Sequence, residues 1–248
     1  MPNLTSHVAL ALKIAESLND STVSEHLGSY LLGATAPDIR IINKQPREIT
    51  HFSQLESTVI GDGVTKLLLE NPDLSDGKNS SAATKAFVSG YITHLISDQT
   101  WIITMYRPYF GNREIFPNGI LANIWDRALQ LEMDKEDRLV WATVYPHLKT
   151  ATAGVEIRFI SLTDLDKWKD WIAEYALGTF SWDRLKSLAR RQAIIDDSVV
   201  HQAVEDFLSD IPNGLRQITS NLGDDDLDSY RERAVHGSIK LIQNFLKE

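Results

Sequence analysis

Apolar residues recur along this chain at spacings of three and four, and strand-like alternation is nowhere sustained. Val8, Leu10, Ala11, Ile14 and Leu18 follow a helical period behind Thr5 and Ser6, either of which can cap a first helix. A second helix is expected from Ser21-Thr22, carrying Leu27, Tyr30, Leu31 and Leu32 and stopping at Gly33. Ala34 to Asp38 reads as a turn, because Pro37 disfavours helix in the residue before it. After a loop through Pro46, a helical pattern runs from about Thr50 to Glu70, and Asn71 to Ser81 has the composition of an exposed loop. A core helix then carries Phe87, Tyr91, Leu95 and Trp101 on one face. Pro108, Gly111, Pro117 and Gly119 mark a second long irregular segment. Beyond it, helices are expected over about 120–145, 147–161, 164–178, 182–209 and 226–247. With no internal repeat and no low-complexity linker, the pattern predicts an all-α protein, a compact multi-helix domain spanning residues 1–248.

Composition narrows the chemistry. The 248 residues are 43% hydrophobic and 24% charged, as in an ordinary globular chain with a sizeable core. The net charge is −9, with a local excess at Asp224-Asp225-Asp226 and Asp228, and the one tight basic cluster is Arg190-Arg191 near Arg184 and Lys186. That balance argues against a surface that tracks the phosphates of a long nucleic acid, but not against a small phosphorylated substrate. There is no cysteine, so disulfides are absent and any transition-metal site must use His, Asp, Glu or backbone donors. No stretch approaches a transmembrane segment of roughly 18 apolar residues, and the first residues lack the pattern of a secretory leader. The expectation is a cytoplasmic protein; oligomeric state is not readable.

The core helix holds the informative pair. His94 and Asp98 lie four residues apart, on or beside its inward stripe, so an imidazole nitrogen and a carboxylate oxygen can converge. Buried there, both need partners: a divalent metal ion supplies them, and so does a plain His–Asp hydrogen bond. His7 at the start of the first helix, Asp38 in the turn after Pro37, and His51 in Thr50-His51-Phe52 have the same chemistry. Each has an ordinary use: His7 at the free amides of a helix start, Asp38 as a turn residue, His51 as a surface histidine. Together they are three imidazoles and two carboxylates without thiols, a set suited to zinc or a related divalent ion in a site that keeps an exchangeable water. A second pair at helical spacing, His201 and Glu205, reads as a surface pair, and the six tryptophans read as core, Trp101 and Trp125 being nearest the suspected ligands.

Leu32-Gly33-Ala34-Thr35-Ala36-Pro37-Asp38-Ile39, Thr50-His51-Phe52 and Gly90-Tyr91-Ile92-Thr93-His94-Leu95-Ile96-Ser97-Asp98, with Thr5-Ser6-His7 before them, resemble the zinc-dependent phospholipase C family, which is related to the single-strand-specific zinc nucleases. The resemblance covers roughly residues 1–135; residues 136–248 add further helices. It implies an all-α fold and a cluster of up to three zinc ions that hydrolyses phosphate esters. Asp38, His51, His94 and Asp98 would hold one ion, and His7 and a bridging Asp98 would serve a second. The departures are specific. No leader is visible whose removal would expose a metal-binding amino terminus, and Thr100 to Arg107 lacks the family's further histidine. The later His-x-x-x-Glu pair falls at Asp126 and Gln130, of which only Asp126 could ligate. One or two ions are therefore expected, zinc or another divalent metal.

A metal-dependent phosphoesterase follows as the expected function, acting on a phospholipid headgroup or another small phosphorylated substrate. Zinc would lower the pKa of a water to about 7, and the resemblance implies that Asp38 would orient or deprotonate the attacking water. Arg107 and Tyr109, in the irregular segment, are candidates to touch substrate. The rival is a non-catalytic helical binding or scaffold protein that keeps the fold with a structural metal.

Overall fold

The computed structural model describes residues 2–75, 80–190 and 197–247. Every regular element among them is helical. In chain order come α1 (Leu4–Leu18), α2 (Ser21–Glu25), α3 (Leu27–Gly33), a 3-10 turn at Ala36–Ile39, α4 (Arg40–Asn43) and α5 (Arg47–His51). Then follow α6 (Asp62–Glu70), α7 (Pro72–Ser75), α8 (Ala82–Trp101), a run of wider π-helical turns over Ile102–Phe110, α9 (Gly119–Glu136) and a 3-10 turn at Asp137–Leu139. The last elements are α10 (Val140–Leu148), α11 (Leu162–Leu177), α12 (Arg184–Arg190), α13 (Asp197–Ser209), α14 (Ile211–Thr219) and α15 (Asp226–Lys247).

Helix α8 is the axis. α3 and α15 pack along it most extensively, with α1, α2 and α6 also against it. All of its residues except Ala82 and Lys85 are buried, so it is enclosed on every side rather than along one stripe. That burial is compatible with its many hydroxyls because they are satisfied locally. Ser89, Thr93 and Thr100 donate to the carbonyls of Lys85, Ser89 and Ile96, one turn back. Ser81 caps the amino end by accepting from the Thr84 amide, and its hydroxyl donates to the Gly154 carbonyl.

Two glycines let α3 lie against α8 backbone to backbone. A Cβ on Gly33 would sit 1.9 Å from the Phe87 carbonyl oxygen, and one on Gly90 would sit 1.8 Å from that of Tyr30. No side chain fits at either position. The approach brings the end of α3, and the Ala34 carbonyl just past it, to the flank of α8.

The later helices close over this axis. α15 covers α8 and α1, and the buried apolar residues of both halves of the chain join one core cluster. Trp101 is fully buried, with Tyr230 of α15 edge-on to it at 5.1 Å. No described helix is long and apolar enough to cross a membrane.

Several elements differ from the expectation. The predicted helix from Thr50 to Glu70 is broken: α5 ends at His51, where Phe52 takes the left-handed conformation (φ 53°), and α6 starts only at Asp62. The segment expected to be irregular begins helical, since the chain winds on past Trp101 in π turns, tolerating Pro108 and ending with the Gly111 amide on the Tyr106 carbonyl. Pro146 was expected to separate two helices, but α10 runs through it. It stands on the solvent face, where water can meet the carbonyl it frees, and residues 149–161 are turns instead. The helix expected over 182–209 is found as α12 and α13, with residues 191–196 outside the described residues. α14 was not expected, and α7 adds one turn in the predicted loop, of which 76–79 lie outside the described residues.

Gly90→Ala is expected to lower stability by about 3 kcal/mol, at the upper end of overpacking costs, because the added methyl meets backbone that cannot rotate away. Urea denaturation checks this; an unchanged midpoint would contradict the close crossing of α3 and α8.

Candidate metal centre

Five sequence-predicted residues fall into two overlapping groups that share His94. Helix α8 supplies His94 and Asp98, α1 supplies His7, the end of α5 supplies His51, and the 3-10 turn supplies Asp38. His7, His94 and Asp98 offer ligand atoms within 4.8 Å of one another, and so do Asp38, His51 and His94.

Each residue is held by its own local structure. His7 sits in the first turn of α1, whose N-cap residue Asn3 makes no side-chain cap. The free Thr5 amide there donates instead to the Asp134 carboxylate of α9, at 3.0 Å. That buried carboxylate also accepts from Tyr175 (2.8 Å) and Arg184 (2.7 Å), so the later helices fix the start of α1. Thr35 is pinned by the Trp168 indole, which donates to its hydroxyl at 3.1 Å just before the turn carrying Asp38. At His51, the Tyr91 hydroxyl of α8 donates to the Thr50 carbonyl. Phe52, buried between Tyr91 and Phe159, ends the helix at once.

The tautomers follow from the hydrogen bonds. His94 Nδ1 lies 2.9 Å from the Ala34 carbonyl oxygen, which can only accept, so Nδ1 carries the proton. His7 Nδ1 lies 2.8 Å from the Ser97 hydroxyl, which donates its own hydrogen to the His94 carbonyl at 3.0 Å. Ser97 must then accept from His7. The Thr50 hydroxyl, 3.0 Å from His51 Nδ1, likewise donates to the Arg47 carbonyl at 3.3 Å and accepts from His51. His94 therefore turns an unprotonated Nε2 inward, and His7 and His51 do the same when the Ser97 and Thr50 hydroxyls give their hydrogens to those carbonyls.

What those nitrogens face is also an acceptor. His7 Nε2 lies 3.3 Å from Asp98 Oδ1, His51 Nε2 is 3.3 Å from Oδ2, and His94 Nε2 is 3.8 Å from Oδ2. His51 Nε2 is 3.9 Å from Asp38 Oδ1. None of the three Nε2 atoms has a hydrogen-bond partner, nor does Asp98 Oδ1. Lone pair against lone pair in a dry site is repulsive unless a cation lies between them, and each buried orphan costs about 1–3 kcal/mol. Protonating His51 or His94 is not the escape. Burial, reinforced by His7 alongside, pushes His94 well below its ordinary range, and burial lowers His51 despite Asp98 nearby. Burial alone would raise the Asp98 carboxyl, but the Arg47 guanidinium beside it leads in holding it well below the usual carboxylate range.

A metal ion fits these donors. Two ligands at zinc bond lengths of 2.0–2.1 Å and a tetrahedral angle lie about 3.3 Å apart, the separation of Asp98 from His7 and His51. Each ligand nitrogen already has the outer hydrogen bond that fixes a metal-binding imidazole. The site is nearly closed: the three histidines are 0% exposed and Asp98 2%, while the Asp38 side chain, at 21%, reaches solvent. An ion here could be held tightly with one carboxylate at the way in.

Other predicted residues lie elsewhere. Asp126 is not gathered into either ligand group; its Oδ1 accepts from the Trp101 indole at 2.9 Å. Gln130 accepts from Arg127 at 2.7 Å. Arg107 ties down the loop after His51, donating to the carbonyls of Leu55 and Ser57 at 2.6 and 2.7 Å, and Tyr109 is engaged by Asp226. Neither is brought to the ligand cluster. His201 is exposed, and Glu205 pairs with Lys186 at 3.2 Å. A cavity of about 550 Å³ between α9, α13 and α14, with Trp125 in its wall, contains no candidate ligand.

The residue that sequence reasoning missed is Arg47. Its Nη2 donates to Asp98 Oδ2 at 2.9 Å, and its Nε and Nη1 are buried without a partner. Thr50 and Ser97 stood in recognised motifs without a role; hydroxyls one residue before and three after a ligand histidine were the available signal.

Comparison with protein-family models, with curated proteins and with solved structures matches none of them. The resemblance to zinc-dependent phospholipases C is a reading of the chain's motifs to which these comparisons add nothing.

Protein purified without chelator is expected to carry near-stoichiometric divalent metal by elemental analysis. Ser97→Ala, which removes no ligand, should weaken zinc binding about 10- to 100-fold in competition with a chromogenic chelator, because His7 loses the partner that sets its tautomer. Wild-type affinity in this variant would contradict the tautomer assignment.

Proposed function

We propose that this chain is a metal-dependent phosphoesterase that uses zinc or a related divalent ion. The observation that carries the reading is the convergence of three buried, unpartnered imidazole Nε2 atoms on one buried carboxylate, with a second carboxylate, Asp38, at the solvent side. A thiol-free set of imidazole and carboxylate donors is characteristic of sites that keep an exchangeable position. A divalent ion so held lowers the pKa of a water to about 7 and polarises a phosphoryl oxygen.

The chain's own residues supply the rest. His7, His51 and His94 are held as neutral ligands by their Nδ1 hydrogen bonds. Asp98 balances charge at the centre. Asp38, partly exposed beside His51, is placed to accept the proton of an attacking water or to orient it. The near-complete burial of the remaining donors excludes bulk water and strengthens each charge interaction. With a net charge of −9, small phosphate esters, among them phospholipid headgroups, suit the protein better than long nucleic acids.

One observation favours a second reading. Only Asp38 of the five reaches solvent, as suits an ion that holds the fold of a binding or scaffold module.

A panel of phosphomonoesters, phosphodiesters, phospholipids and single-stranded oligonucleotides separates the two. The phosphoesterase reading predicts turnover of at least one class, lost to chelator, restored by divalent metal, and lowered about 100-fold or more in Asp38→Asn. Fully metallated protein that turns over no member of the panel would leave the binding module as the better account.

A further inference from the structure

The two candidate ligand groups cannot both be filled as they stand. His94 belongs to each. Its Nδ1 is committed to the Ala34 carbonyl, so a single Nε2 lone pair serves one ion only. Asp98 is similarly divided. Its Oδ1 faces His7, while its Oδ2, beside His51, is already bound by a guanidinium at 2.9 Å.

Charge leads to the same place. Imidazoles that ligate a metal are neutral, so the cluster's formal charges are then two carboxylates and one guanidinium, which leaves a single negative charge. One divalent ion turns that into a single positive charge. A second would leave three positive charges in a nearly dry pocket with no further acid among the grouped ligands, and like charges at such range repel strongly in a low dielectric. The Arg47 side chain is itself only 9% exposed, so water does little to screen it.

Resting on the metal-centre reading above, we infer that Arg47 is the resident second cation of this centre, and that the centre holds one divalent ion rather than two. The guanidinium takes on Asp98 Oδ2 the place that a bridged ion would take. Its Nε and Nη1, buried without partners, remain available for an oxyanion, so a phosphoryl group would meet one ion and one arginine. Arginine suits the part because it cannot lose its proton at any working pH.

The test is zinc stoichiometry and affinity, measured by elemental analysis and chelator competition, on wild type, Arg47→Lys and Arg47→Gln. Gln keeps a donor for Asp98 without the charge; Arg47→Met replaces it if Gln does not fold by circular dichroism and thermal melting. Wild type and Arg47→Lys should hold one zinc per chain. The neutral variant should take up a second ion, or hold its one about tenfold tighter. Two ions in wild type would overturn the inference. So would a neutral variant that binds as wild type does or more weakly, or a lysine variant that behaves like the neutral one. Zinc in the neutral variant but none in wild type would overturn the one-ion count and, with it, the metal-dependent reading of the native chain. No zinc in either would end both.

Discussion

Three imidazole Nε2 atoms without hydrogen-bond partners are held around one buried carboxylate, out of reach of water. That arrangement is repulsive on its own, and much of the surrounding fold holds it in place. Asp134, on α9, binds the amide at the start of α1 and so sets His7. The close crossing of α3 and α8 delivers the carbonyl that orients His94. Tyr91 and Phe52 fix the end of α5 and with it His51. Four buried orphan atoms at about 1–3 kcal/mol each are a large fraction of a typical domain's stability, so a cation that engaged them would stabilise the fold as well as supply chemistry.

The enclosure of α8 explains how one helix can host this. A helix with a single apolar stripe would leave its polar face in solvent, and His94 and Asp98 would at best sit at the border. Here helices surround α8, and the hydroxyls that would be stranded donate to their own helix's carbonyls. Ser97 goes further: by spending its proton on the His94 carbonyl, it is left able only to accept from His7. A local helix hydrogen bond thereby decides which nitrogen of a distant histidine is free to ligate. Thr50 does the same for His51 through the Arg47 carbonyl.

Much of this was legible in the chain. The helical period of Phe87, Tyr91 and Leu95, with His94 and Asp98 at i and i+4, placed two ligands on one inward face without reference to anything distant. Asp38 was marked by Pro37 and His51 by its motif. What was hidden depends on tertiary contact. Arg47 follows a proline in what reads as a loop, and nothing local says that its guanidinium reaches a carboxylate 51 residues on. Asp126 stands where the resemblance puts a ligand, yet an indole claims it. Arg107 has the right charge for a phosphate but serves loop carbonyls. The π turns after Trp101 and the passage of α10 through Pro146 were missed because breaker residues were weighed without knowing which face they would occupy.

The central claim is that His7, His51 and His94 are neutral, protonated on Nδ1, and present Nε2 to a cation. Long-range proton–nitrogen NMR of the histidine rings reads this directly, in zinc-free protein and again after zinc is added. The account predicts three buried rings of the Nδ1–H form before zinc, with Nε2 resonances moving on addition as the lone pairs engage the ion. Rings protonated on Nε2, or charged imidazoliums paired with Asp98, with no response to zinc, would contradict it.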